Sequence, residues 1–150
     1  MQAHMRVTFD TDLSPERVIA AVTDFSAGRL TTWPSLDPEK YEVYEVSDTS
    51  AFVREGTSFP SIWVKERYDW SRPGRVVWTL EESNVFRPGT TIELAAEPDG
   101  HGGSRVELDA RRKAASPVGY LVVAGLALFG RRFLISTYKQ AFDRLAAAEG

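Results

Sequence analysis

Acidic side chains fall at three positions where strand-like segments otherwise present apolar or aromatic residues to one face: Glu55, Glu66 and Glu82. Glu66, for example, stands between Val64 and Tyr68 in the two-residue alternation. An acid enclosed in an apolar pocket has a raised pKa and can transfer protons at neutral pH. The alternation therefore predicts that all three acids face the interior, and it makes Glu66 and Glu55 the candidate catalytic residues.

Other interpretations of these acids remain open. Glu66 or Glu55 can instead pair with an arginine, and Glu82 stands at the open end of its strand. A β-bulge in any of these strands would turn the following side chains to the opposite face.

Aromatic and aliphatic side chains in the same segments, and in the last helix, suit the wall of a cavity for a flat or apolar ligand. The alternative for each of them is a filled core, and Trp63 is expected on the outer face. The predicted cavity residues are Trp33, Tyr68, Trp70, Trp78, Leu80, Ile92, Val122, Leu126 and Phe129.

Metal and nucleophile chemistry finds little support in the sequence. There is no cysteine, and the two histidines are His4, near the terminus, and His101, in a glycine-rich turn. A zinc site or a Ser-His-Asp relay would need placed histidines that the chain does not offer. The glycine-rich segment 99–103 joins two strands and does not precede a helix, so it indicates a hairpin loop and not a phosphate-binding loop. We expect no metal and no cofactor.

The bulk composition argues against several classes of protein. The net charge is −3, which gives no basic field for nucleic acid. The apolar run 118–129 is shorter than the roughly 20 residues that span a bilayer, so a buried helix start is expected there. Its alternative is a segment lying on a lipid surface, because Arg131 and Arg132 follow it. No secretory signal is visible, and a cytoplasmic location is the default expectation.

The elements that position these residues follow from changes of hydrophobic period. A strand near 5–9 precedes a helix that starts at Ser14-Pro15, and a second short helix is expected at 28–33. Six further strands are predicted at 41–47, 51–57, 62–70, 75–82, 90–97 and 104–113. The short turns between these six predict an antiparallel meander.

A helix predicted from 117 to about 148 is the one element long enough to cover such a sheet, with a bend expected near 130. The fold class is therefore α+β, one domain in which a curved sheet of about seven strands encloses a long helix. Because a curled sheet and a straight helix do not touch everywhere, a ligand cavity is expected between them.

This order of elements, with the residues at its joints, resembles the START-like (Bet v 1-like) superfamily, and most of all its bacterial polyketide cyclase/dehydrase and lipid-transport group. The resemblance covers nearly the whole chain and implies a helix-grip fold. The matching residues are Ser14 to Val18, Thr23-Asp24-Phe25 leading to Trp33-Pro34, Val53 to Gly56, Tyr68-Asp69-Trp70 with Arg72-Pro73-Gly74, and the helix ending at Leu145.

Three functions follow as hypotheses. The first is binding, with transport or sequestration, of a small hydrophobic or aromatic ligand such as a lipid or polyketide-like molecule. The second is a cofactor-free polyketide cyclase or dehydratase, and the third is an interaction or stress-related module without a small ligand. No nucleic acid and no stable membrane span are expected, and the chain is expected to be a monomer or homodimer.

Overall fold

A seven-stranded antiparallel sheet forms most of the molecule in the computed structural model, which describes residues 1–149. The strands lie in the order β1-β7-β6-β5-β4-β3-β2, so consecutive strands from β2 to β7 are neighbours and β1 closes the far edge. The strands are β1 (Gln2–Thr11), β2 (Glu42–Val46), β3 (Ser50–Thr57), β4 (Ile62–Asp69), β5 (Arg75–Ser83), β6 (Thr91–Pro98) and β7 (Ser104–Lys113). The predicted meander and strand number are confirmed.

Both Ser-Pro pairs begin helices, as the sequence predicts. The hydroxyl of Ser14 accepts a hydrogen bond from the Arg17 N–H at the start of α1 (Pro15–Val22). Ser116 caps α3 (Pro117–Leu134) in the same way through the Gly119 N–H. The short helix α2 (Arg29–Thr32) lies between α1 and the sheet strands in sequence. These caps fix where each helix leaves the sheet.

The C-terminal helix runs from Pro117 to Glu149 and packs against β1 and β7. It is regular at Gly130, where a bend was expected, because the missing side chain leaves room for the Met5 sulfur. The irregularity lies later: residues Ile135–Lys139 form a π-helical turn between α3 and α4 (Gln140–Glu149). The recorded irregularity thus begins five residues beyond Gly130, and Gly130 itself allows close packing on Met5.

This helix is long and apolar enough, by length and composition alone, to cross a membrane, with a mean hydropathy of 1.7 over its most apolar part. One side of this helix packs against β1 and β7. Packing against the sheet accounts for only part of this hydropathy, since 22% of the apolar window is buried and the rest is exposed or lines open space.

A β-bulge reverses one sequence prediction. Lys65 pairs with Glu82 and the next residue, Glu66, pairs with Leu80, so β5 carries one extra residue at this point. As a result Glu82 is exposed and its carboxylate lies 3.0 Å from Lys65 Nζ on the outer face. The expectation that Glu82 faces the interior was wrong, because a bulge shifts every side chain beyond it.

Candidate functional site

A cavity of about 910 Å³ lies between the concave face of the sheet and the long helix. Its walls come from every strand except β2, from α1 and α2, from the 57–60 loop, and from one side of α3 with the π-helical turn. Its lining is mostly apolar, and the charged lining residues are confined to two arginines and two glutamates. This is the geometry of a pocket for a ligand with a large apolar body.

Most of the predicted cavity residues do line this space. The structure places Trp33, Tyr68, Trp78, Ile92, Val122, Leu126 and Phe129 in the wall. Leu80 is fully buried but belongs to the packed core and not to the lining. Trp70 is also absent from the wall and packs against Phe25, with 6.0 Å between ring centroids. The sequence pattern identified the face correctly for these two residues but not how far the cavity extends along it.

Glu66 lines the cavity and forms a buried ion pair with Arg112. Arg112 Nη2 donates to Glu66 Oε2 at 2.7 Å, and both side chains are almost fully buried. Burial raises the pKa of Glu66, and the positive charge of Arg112 opposes that rise. Alternation along β7, which puts Ala110 and Arg112 on one face, is the sequence signal that could have predicted this partner.

Glu55 is held by a second buried group. Arg29 Nε donates to Glu55 Oε2 at 2.7 Å, and the Tyr68 hydroxyl donates to Glu55 Oε1 at 2.6 Å. Arg29 also donates to the backbone carbonyls of Val22 and Asp24, at 2.8 and 3.2 Å, and lies over the Phe25 ring. Both carboxylate oxygens and the guanidinium are therefore engaged within the protein.

These contacts shift the titration of the cluster. Burial alone would lower the pKa of Arg29, but the charge of Glu55 holds that pKa above its usual range. Burial and the neighbouring Glu55 raise the pKa of Tyr68 well above normal. Sequence reasoning missed Arg29 because a helix of four residues has no periodicity that reveals which side chain turns inward.

The mouth of the cavity is apolar and open to solvent. Phe59 in the 57–60 loop is 97% exposed, and Leu121 and Phe129 on α3 are 76% and 64% exposed, although all three also line the cavity. Within the run 118–129, Val123 is buried, whereas Val122 lines the cavity wall. The segment therefore packs on one side only, and its other side forms part of an exposed apolar rim.

The two histidines lie outside this site. His4 on β1 contacts Asp109 at 2.9 Å through Nε2 on the outer face of the sheet, and His101 is exposed in the turn after β6. Among residues 1–149, no three His, Asp or Glu side chains come together in an arrangement that could hold a metal ion.

Comparison with known proteins supports the same fold and extends it to a family. The family described as polyketide cyclase/dehydrase and lipid transport matches residues 2–148. The chain belongs to this family. No curated protein matches the sequence.

Several solved structures superpose on nearly the whole chain. A START superfamily protein from Mycobacterium smegmatis has a TM-score of 0.75 at 15% identity, over 95% of this chain and 98% of that one. The ZhuI aromatase/cyclase from Streptomyces sp. R1128 gives 0.67 at 16%, covering 99% and 93%. Norcoclaurine synthase from Thalictrum flavum gives 0.73 at 11%, covering 100% and 89%. At these identities the likeness establishes the helix-grip fold.

Proposed function

We propose that this protein binds a small apolar or aromatic molecule in the cavity and carries or sequesters it. The observation that supports this most directly is the cavity itself, a space of about 910 Å³ with a largely apolar wall and an exposed apolar mouth. When an apolar ligand displaces water from a concave apolar surface of this kind, the burial of apolar surface lowers the free energy. The family contains lipid-transport members by its own description, which agrees with such a role.

The two glutamates have different parts in this proposal. Glu55 has both oxygens engaged by Arg29 and Tyr68, so we assign it to holding the cavity wall together. Glu66 has one oxygen on Arg112 and its other oxygen, Oε1, has no protein donor among residues 1–149. Glu66 is therefore the acid that we propose contacts the ligand.

A second candidate function is a cofactor-free dehydratase or cyclase, and the raised pKa of Glu66 favours it. In a dehydration, Glu66 would take a proton from the carbon next to a ligand carbonyl. The same proton would then pass to the departing hydroxyl group, so that a carbon–carbon double bond and one water molecule form. This reaction needs no metal or cofactor.

Native mass spectrometry of protein purified from its own host tests the binding proposal. We expect a co-purified mass that disappears on denaturation. Panels of lipids and aromatic compounds should also raise the melting temperature, because a ligand that binds only the folded state stabilises it. If neither experiment detects a ligand, the binding proposal fails, and an interaction module without a small ligand becomes the favoured alternative. A bound compound that is returned chemically changed identifies the enzyme.

We propose a cytoplasmic monomer or homodimer that takes its ligand without a nucleic-acid partner. The net charge of −3 supports the last point, since a protein that binds phosphate backbones usually carries a basic surface.

A further inference from the structure

The charges at the polar end of the cavity balance. Among the lining residues, the charged side chains are Arg29, Glu55, Glu66 and Arg112, and they form two buried ion pairs, each with a contact of 2.7 Å. With both pairs ionised, two positive and two negative groups leave no uncompensated charge. An anionic ligand would therefore find no free cation in this cavity.

Hydrogen-bonding capacity remains at the same end. Within residues 1–149, the Tyr138 hydroxyl has no hydrogen-bond partner, and neither does Glu66 Oε1 or Arg112 Nε. Tyr138 lines the cavity, so its free hydroxyl is available to a ligand. The Tyr138 hydroxyl can donate or accept, Glu66 Oε1 accepts and Arg112 Nε donates, so both donors and acceptors are left, and a hydroxyl or carbonyl group can satisfy them.

The π-helical turn explains why Tyr138 points here. The turn Ile135–Lys139 inserts an extra residue into the long helix, and both Thr137 and Tyr138 face the cavity from it. The Tyr138 ring lies 5.1 Å from that of Trp33 and 6.3 Å from that of Phe142, centroid to centroid. Single π turns within α-helices recur at functional sites. The ring is therefore held by aromatic neighbours while its hydroxyl stays unpaired.

Building on the proposed binding function, we propose that the cavity selects neutral ligands that carry a hydroxyl or carbonyl group on an apolar body. The polar group bonds to the Tyr138 hydroxyl and to the free edge of the Glu66–Arg112 pair. A carboxylate or phosphate ligand is disfavoured, because it would add an unpaired negative charge beside the buried carboxylates of Glu55 and Glu66.

Calorimetric titration at about pH 7 with naphthalene, naphthol and naphthoate tests this selectivity, since the three probes share one ring system. We expect naphthol to bind at least about tenfold more tightly than naphthoate, a difference of about 1.4 kcal/mol. Naphthoate binding as tightly as naphthol would overturn the selectivity while leaving the binding function intact. If neither naphthalene nor naphthol binds, and decanol also fails to bind, both the inference and the binding function fail.

Two variants test the role of the Tyr138 hydroxyl and the role of the balanced charges separately. Tyr138→Phe should weaken naphthol binding about tenfold and leave naphthalene unchanged, because only the hydrogen bond is lost. The matched control is Tyr120→Phe, at an exposed tyrosine of α3 that does not line the cavity. Glu66→Gln leaves one excess positive charge and should strengthen naphthoate binding. Unchanged naphthol affinity in Tyr138→Phe, in protein that still binds naphthalene, would overturn the role of Tyr138.

Discussion

Arg112 on β7 reaches across the concave face of the sheet to Glu66 on β4, with 2.7 Å between Nη2 and Oε2. Two strands, β6 and β5, separate β7 from β4 in the sheet order. The ion pair therefore bridges two strands that are not neighbours, and both of its side chains line the cavity.

Arg112→Met should destabilise the protein by about 3–5 kcal/mol at neutral pH, since it leaves a buried carboxylate without its partner. Burial raises the pKa of Glu66, and losing Arg112 raises it further. The folded state then holds a proton that the unfolded chain releases near its ordinary pKa of about 4.3. The loss of stability should therefore be smallest below that pH and grow as pH rises through the folded-state pKa.

Urea unfolding across this pH range measures the effect, and the double variant Glu66→Gln/Arg112→Met is the control. With no carboxyl group left at this position, its stability should lack the added pH dependence of Arg112→Met. Equal pH profiles for the single and double variants would contradict the pairing of Glu66 with Arg112.

Glu55→Gln should also cost about 3–5 kcal/mol of unfolding free energy, because it leaves the Arg29 guanidinium buried beside a neutral group. Tyr68→Phe removes one neutral donor from the same cluster and should cost about 1–3 kcal/mol. Glu82→Gln, on the exposed face, serves as the control and should change stability little. A small effect of Glu55→Gln would show that this group does not hold the wall.

Two glycines of α3 give opposite expectations. Gly125→Ala meets open space and should stabilise the helix by about 0.5–1 kcal/mol, because alanine restricts the unfolded chain. Gly119→Ala would place its methyl group against the backbone carbonyl of Val85, which cannot move aside as a side chain can. We therefore expect Gly119→Ala to lower the melting temperature. Thermal unfolding of both variants measures these effects. A stabilising Gly119→Ala would refute the close packing of α3 on the backbone of Val85, just after β5.

Leu126→Trp should fill part of the cavity and abolish ligand-induced thermal shifts. The control is Leu128→Trp on the same helix, since Leu128 is 77% exposed and does not line the cavity. The same shift in both variants would show that ligands bind elsewhere.

Much of the fold followed from local signals in the sequence. Changes of hydrophobic period located the strands, and Ser-Pro pairs located two helix starts, because caps and alternation depend on a few neighbouring residues. Alternation also placed Glu66 and Glu55 on the buried face. These features needed no knowledge of which strands lie opposite one another.

The features that were missed depend on distant partners. The bulge that exposes Glu82 arises between β4 and β5 and leaves no distinct residue pattern. The role of Arg29 becomes visible only when α2 is placed next to Glu55. The π turn at Tyr138 is not visible in the sequence, because the residues before and after it both follow a helical pattern. Leu80 and Trp70 lie on the expected side of the sheet, but where the cavity ends is decided by packing between the sheet and the long helix.

A crystal structure of the protein soaked with naphthol tests the central claim most directly. The account predicts electron density for the ring system inside the cavity, between the sheet and α3, with the ligand oxygen within hydrogen-bonding distance of the Tyr138 hydroxyl. Density at another site, or a cavity that holds only ordered water in naphthol-saturated crystals, would contradict it.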